Sequence, residues 1–489
     1  MLSRLAGLVR QRALSHYLGL GPEADAFAAA FRIPNLLQNL FGEGALSAAF
    51  IPVYARRLGA NDVESARRVA GAVLSWLALI LSVVVLVGVT AAPLLVDILA
   101  PGFSGSTRAL TITLVRLLFP GAGLLVFSAW CLGILNSHRR FFLSYAAPVA
   151  WNLAIIVTLL VAGPRVTPAR LTMLAAMASV AGSLLQFLVQ LPVALRLSGG
   201  VPLGLARQDP QVREVGRTFG PALLSRGVAQ LSAFIDSMIA SLLPTGAVAA
   251  LANAQLLYSL PVSLFGMSIA AAELPAMASE TGRGEDVTAA LQARLTRAMS
   301  RVAFFVVPSA AAFISLGHMV AGLVYQSGRF DADDARYVWV VLAASSVGLL
   351  AAALARLFGS AFYALGDTHT PFRCAATRML VGSTAGFLAA RFAPGLLGLE
   401  PRWGLAGLTL ASGTAGWLEF VLLRRALRGR IGVVELPPGR LVRLWLGAAA
   451  GAAAGWGTLY LLRAFPMPVQ AFASLGAFGL VYLSICRKP

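Results

Sequence analysis

Arg4 and Arg10 stand in the first apolar stretch of the chain, and Asp25, Arg32, Asn35, Asn39, Glu43 and Ser47 follow in the second. At 100° per residue the second set falls within an arc of about 120° on one helix face, opposite Ala, Leu, Ile and Phe. Arg4 shares a face with Gln11 and Ser15, whereas Arg10 lies about 120° round the helix beside Ser3. Guanidinium groups stay protonated and present a planar fork of donors, so Arg4 and Arg10 are candidates for holding an anion such as a phosphate. A charged side chain facing lipid costs about 2.5–3.5 kcal/mol or more, so such groups normally point into a cavity. The polar face is therefore expected to meet water, a ligand or a partner. A second arrangement satisfies the same pattern: the arginines reach an interface, or pair with Asp25 and Glu43.

The elements that must position these groups follow from composition. Of 489 residues, 58% are hydrophobic and 12% charged, the balance of an integral membrane protein. Apolar runs of about 20 residues recur between short Gly, Pro and Arg clusters, and strand-period alternation is absent, so the fold class is an all-α polytopic membrane protein, not a β-barrel. Fourteen candidate transmembrane helices are expected, at about 2–20, 25–55, 69–99, 109–136, 142–162, 168–196, 215–243, 246–278, 293–323, 334–365, 371–392, 404–427, 440–463 and 468–486. The longest hydrophilic connection, "RLSGGVPLGLARQDPQVREVGR", follows the sixth helix. It suggests an N-lobe at 1–198, a cytoplasmic linker at 199–214, a C-lobe at 215–430 and a C-terminal helix pair at 431–489. Pro34, Gly42 and Gly44 could let the second helix bend, or the glycines could serve close packing. Further intramembrane polar groups are Arg226, Gln230 and Asp236 in the seventh helix, Glu273 in the eighth and Glu419 in the twelfth.

Net charge is +19, with Lys488 the lone lysine. The arginines are scattered through short loops and helix ends, without the basic tract and interleaved aromatics of a nucleic-acid groove, so nucleic acid is not an expected partner. With the N-terminus in the cytoplasm, "ARRLGANDVESARR", "NSHRR", "GDTHTPFR", "RRALRGR" and "RKP" all fall inside, while "GPEAD" and "QSGRFDADDAR" fall outside; the positive-inside rule places both termini in the cytoplasm. "MLSRLAGLVRQRALSHYLG" has charges where a signal peptide needs an unbroken apolar core, so none is expected. Cys131, Cys374 and Cys486 lack ligand-like spacing, as do the four histidines, and no Walker loop appears. No cofactor or metal is expected. A two-lobed membrane protein with a cytoplasmic linker fits a transporter, and with no Walker loop its energy would come from an ion gradient, the membrane potential or substrate supply.

"DAFAAAFRIPNLLQNLFGEGALSAAFIPVYARR" resembles the second-helix signature of the MurJ/MviN lipid II flippases, and "SRLAGLVR" resembles their first-helix signature. The likeness continues in "LFPGAGLLVFSAWCLGILNSHRRFFLSYAAPVAWNLAII", "VYQSGRFDADDA" and "AFYALGDTHTPFR", in family order. It implies the fold of the MOP exporter superfamily, with two six-helix lobes around a central cavity and two C-terminal helices forming a lipid-facing groove. It implies alternating-access movement of the undecaprenyl-diphosphate-linked peptidoglycan precursor, lipid II, to the outer leaflet of the bacterial cytoplasmic (inner) membrane. Membrane lipids and cell-wall synthesis proteins are the other partners implied. Carried over by motif position, Arg4, Arg10, Asp25, Arg32, Asn35, Glu43 and Ser47 match functional or cavity-lining positions. Three positions depart from the pattern: Gln11 stands where an aspartate is usual, Gln38 where a basic residue is common, and Leu256 where an arginine often precedes Pro261. Relatives also usually begin their first helix further upstream than "MLSRL".

A flippase breaks no bond, so it needs no catalytic constellation, and an enzyme is not expected. Flipping of another polyprenyl-linked glycan keeps the same fold with a different cargo; an exporter of cationic drugs would need acids in place of the arginines. A non-transporting scaffold of envelope synthesis would explain the lost cations, but not the retained Asp25, Asn35, Asn39 and Glu43. Asp331, Asp333 and Asp334 of "DADD" read as a helix start in an outer loop, not as a metal or acid–base cluster.

Overall fold

The computed structural model describes the backbone of residues 2–279, 285–434 and 437–487, and their side chains apart from those at 2, 42–45, 222, 224–229, 274–276, 278–279 and 285–288. Among the described residues there are eighteen α-helices, short π and 3-10 stretches and one isolated bridge between Ser327 and Phe330. The chain divides into two compact units, Met1–Ala249 and Ala250–Pro489.

The first unit contains α1 (Leu2–Leu18), α2 (Pro22–Leu37), a π stretch (Gln38–Leu46), α3 (Ser47–Gly59), α4 (Val63–Thr90), α5 (Ala92–Leu99), α6 (Gly105–Ser137), α7 (Phe141–Ala162), α8 (Pro168–Leu197) and α9 (Pro210–Ser241). Helix α6 packs against α2, α4 and α8, and α7 lies against α1 and α8. Polar ends of buried aromatic rings find partners: Trp130 of α6 donates to the Ala70 carbonyl of α4 at 3.1 Å, and Trp151 of α7 to the Ser179 carbonyl of α8 at 3.1 Å. The segment after α8, expected as a linker, is fastened along α4. Trp76 donates to the Leu205 carbonyl at 3.0 Å, and the Gly204 amide donates to Ser75 Oγ at 3.1 Å. Helix α9 packs on α3 and on the π stretch, so it groups with the first unit.

Helix α10 (Ala247–Pro261) starts in the first unit and continues in the second, followed by a π stretch (Val262–Met267), α11 (Ser268–Ser279), α12 (Glu285–Tyr325), α13 (Ala332–Ser346), α14 (Leu349–Ala364), α15 (His369–Leu396), a 3-10 turn (Pro401–Trp403), α16 (Gly404–Ile431), α17 (Pro438–Leu461) and α18 (Met467–Cys486). Asp331 caps α13 by accepting the amides of Asp333 and Asp334 at 2.8 and 2.9 Å, the role read from "DADD". Helices α17 and α18 pair closely because α17 presents glycines: a Cβ on Gly447 would lie 2.5 Å from Cys486 Sγ, and one on Gly451 2.8 Å from the Phe478 carbonyl oxygen.

Two expected helices are interrupted by π stretches. The 25–55 helix divides into α2, π stretch and α3, and the 246–278 helix into α10, π stretch and α11. Pro34 lies one turn before the first π stretch and Pro261 immediately before the second. A proline removes an i→i−4 donor and crowds the preceding turn, a common place for the ladder to shift to i→i+5 bonds. The 334–365 helix likewise divides into α13 and α14, bent by 45°. Joining α2 to α3, α4 to α5, α10 to α11 and α13 to α14 reduces the eighteen helices to fourteen helical stretches that overlie the expected ranges. By length and apolarity, eight helices among the described residues can cross a bilayer, or nine if α13 and α14 form one span.

Candidate functional site

Arg10 is the best-developed site residue. It projects from α1 toward α2 and α7, where its guanidinium carbon lies 4.7 Å from the Phe31 ring centre and 5.3 Å from that of Trp151. The two rings stack on each other at 5.5 Å and 9°. Aromatic faces attract a cation electrostatically, and desolvation strengthens the effect. Arg10 Nη1 donates to Asn152 Oδ1 at 3.0 Å, and Asn152 is oriented by its own bond to the Pro148 carbonyl at 3.0 Å. Arg10 Nε is buried with no hydrogen-bond partner. The guanidinium is thus held in place on one side with a donor unspent.

Asp25 sits at the start of α2, 3% exposed. Its carboxylate accepts the Gly246 amide at 2.6 Å and the Ala249 amide at 2.8 Å, at the first turn of α10. A carboxylate there satisfies orphan N–H groups and complements the positive end of the helix dipole. Gly246 makes the arrangement possible: its φ is +94°, and a Cβ would lie 2.6 Å from the Leu20 carbonyl oxygen. Arg32 donates to the Ala233 carbonyl of α9 at 2.8 Å and lies near enough to Asp236 for electrostatic attraction.

The remaining positions differ in exposure. Arg4 and Asn35 are exposed, Asn39 and Ser47 are half-buried, and the side chain of Glu43, like that of Arg226, lies outside the described residues. The structure joins Arg10 to Phe31, the neighbour of Arg32, but directs Asp25 to the α10 turn and Arg32 to α9. The expected single polar arc assumed 100° per residue throughout. Wider π turns rotate less per residue, so positions beyond Gln38 leave that register.

A second polar group was not legible as a cluster. In the second unit, Arg378 of α15 pairs with Glu419 of α16 at 3.4 Å, and Tyr258 and Arg356 stand near both. Arg356 is a lone arginine in the apolar run "ALARLFGS", the signal that could have marked it. Leu256 lacks the cation common at its position, yet Arg356 and Arg378 supply cations close to Tyr258 on the same helix. Glu273, also noted in the sequence, lies 3.6 Å from both Arg294 and Arg301.

The family model for the lipid II flippase MurJ matches residues 14–470. A lipid II flippase MurJ from Burkholderia cenocepacia is 33% identical over 90% of this chain and 84% of its own length. A relative from Rhizobium tropici, named "Probable lipid II flippase MurJ", is 34% identical over 86% of this chain and 77% of its own. Among solved structures, a lipid II flippase MurJ in an inward closed conformation superposes with TM-score 0.81 at 21% identity, covering 99% of this chain and 97% of that one. An inward-facing multidrug resistance MATE transporter of the MOP superfamily gives 0.71 at 19% identity, over 87% and 95%. These two likenesses establish the shared fold. Taken with the curated relatives and the extent of the family match, they lead to one conclusion: this chain belongs to the lipid II flippase MurJ family.

Proposed function

We propose that this protein carries a lipid-linked diphosphate, the undecaprenyl-diphosphate-linked peptidoglycan precursor, from the cytoplasmic to the outer leaflet of the bacterial cytoplasmic membrane by alternating access. Family membership supports the cargo class, since the Burkholderia cenocepacia relative is named a lipid II flippase. The observation that carries the chemistry is Arg10, half-buried with its guanidinium over the Phe31 and Trp151 rings and its buried Nε unspent. An unsatisfied buried donor costs roughly 1–3 kcal/mol, which an incoming phosphate oxygen would recover. Exposed Arg4, on the same helix, would meet the headgroup before Arg10 does. The prenyl tail stays in lipid while the charged headgroup crosses on polar side chains, and no covalent bond changes.

The arginine-rich loops support both termini in the cytoplasm. The fourteen helical stretches support two lobes of six followed by the α17–α18 pair, and a π break in the second helix of each lobe supports their relation as repeats.

Complementation tests the reading. In a bacterium depleted of its own lipid II flippase, the wild-type chain is expected to restore growth, and Arg10→Ala to fail at matched membrane levels. Arg10→Lys keeps the charge but loses the planar fork, and is expected to rescue partially. Full rescue by Arg10→Ala would remove the arginine from the mechanism. Failure of a correctly inserted wild type would point to a different polyprenyl-linked glycan.

A further inference from the structure

Helix α16 ends in a basic cluster that the transport reading does not use. Arg424, Arg425 and Arg428 line a cavity of about 270 Å³ together with Val421, Val433 and Val434. The volume is below the roughly 300–1,000 Å³ of sites for drug-sized molecules, so it suits a headgroup with the start of a chain, not an entire lipid.

The cavity is built by a chain reversal. Gly432 adopts φ +81°, which lets the backbone turn back at the end of α16 and bring Val433 and Val434 against the arginines. The Gln292 side-chain amide of α12 donates to the Ile431 carbonyl and fixes the turn. Val434 is 3% exposed, a fixed apolar floor, while Arg425 and Arg428 are exposed at the rim.

Arg430, on the same helix end, is otherwise engaged. Arg430 pairs with Asp367 at 2.5 Å and lies over the Phe362 ring at 5.6 Å. Arg425 and Arg428 have no acidic partner among the described residues. Cations near a helix C-terminus gain from the dipole, and positive charge at a cytoplasmic end sets topology. Neither role calls for a concave site or a wall of valines. Guanidinium forks beside apolar side chains match a molecule that is anionic at one end and greasy at the other, and basic pockets at the cytoplasmic ends of membrane helices suit lipid phosphates.

We propose that this cavity binds the phosphate headgroup of an anionic phospholipid of the cytoplasmic leaflet, Arg425 and Arg428 holding the phosphate and the valines the first carbons of the acyl region. The choice of leaflet rests on the proposed orientation; the binding itself does not depend on which cargo is flipped.

The test uses the full-length protein in detergent, incubated with vesicles of phosphatidylcholine alone or mixed with phosphatidylglycerol, with lipid retained per protein read by native mass spectrometry. An Arg425→Gln/Arg428→Gln double variant is compared with an Arg139→Gln/Arg140→Gln control, which removes exposed charge from another loop on the same proposed side. The wild type and the control are expected to retain phosphatidylglycerol, and the double variant at least about five-fold less, the scale set by one surface arginine. Matching thermal unfolding in phosphatidylcholine checks that the double variant is folded; if it is not, competition between the two lipids on the wild type decides. Equal retention by wild type and double variant, equal loss in the control, or no preference of the wild type for phosphatidylglycerol would overturn the proposal. Displacement of the lipid by millimolar inorganic phosphate would overturn the lipid assignment in favour of a free-anion site. Because no step reads flipping, failure here and failure of the transport reading are separate results.

Discussion

Asp25 accepts two amides at the first turn of α10 from a position that is 3% exposed, so its carboxylate is a structural cap whatever else it does. Asp25→Asn turns one acceptor into a donor facing an N–H. Leaving a buried amide unsatisfied costs about 1–3 kcal/mol. The variant is expected to unfold at lower temperature in detergent, and an unchanged midpoint would contradict the capping role. Gly246→Ala should show the same loss, since a Cβ there would lie 2.6 Å from the Leu20 carbonyl oxygen. Arg10 is expected to behave differently. Its side chain spends one hydrogen bond on Asn152 and lies over two rings, so Arg10→Ala should cost activity more than stability. The sequence marked both residues as polar groups in apolar surroundings. It could not show that Asp25 meets amides 221 and 224 residues away, because a contact of that separation leaves no trace in local periodicity.

At the scale of elements, the two π stretches are the weakest parts of long helices. Bonds of the i→i+5 type are less favourable than an α ladder, so amides of Gln38–Leu46 are expected to exchange with deuterium faster than those of α2. Equal protection across both would show that the break opens no more readily than an α-helix. The turn between α14 and α15 supplies a pH dependence. Asp367 is held below the usual carboxylate range first by the Thr370 amide, then by the Thr370 hydroxyl, with the His369 amide and Arg430 adding to this. Its folded pKa is lower than its unfolded one, so the stabilisation is fully present above the ordinary aspartate range and is lost as pH falls through the folded value. Thermal unfolding of Asp367→Asn should therefore differ from wild type near neutrality and converge with it in acid; a constant gap would rule out the carboxylate as the cause. Helix positions were legible because each apolar run must be long enough to satisfy its backbone in lipid. The breaks were only hinted at by Pro34, Gly42 and Gly44, since proline can kink, end or merely tilt a helix, and which occurs depends on packing.

For the whole molecule, composition and recurring apolar runs were sufficient for the class of fold, and motifs along the chain for the family, as the match over residues 14–470 bears out. The site was less legible, because exposure and partner choice depend on tertiary neighbours: Arg32 meets α9, and the Arg378–Glu419 pair joins α15 to α16. The central claim, that a lipid-linked diphosphate crosses with help from Arg10, is tested most directly by the leaflet its headgroup occupies. In spheroplasts depleted of their own flippase, the fraction of precursor headgroups open to an impermeant label added outside would be measured with wild-type chain, Arg10→Ala or empty vector. The account predicts a rise with the wild type and a level near the vector's with Arg10→Ala, at equal membrane abundance. A wild-type level no higher than the vector's, or an Arg10→Ala level equal to the wild type's, would contradict it.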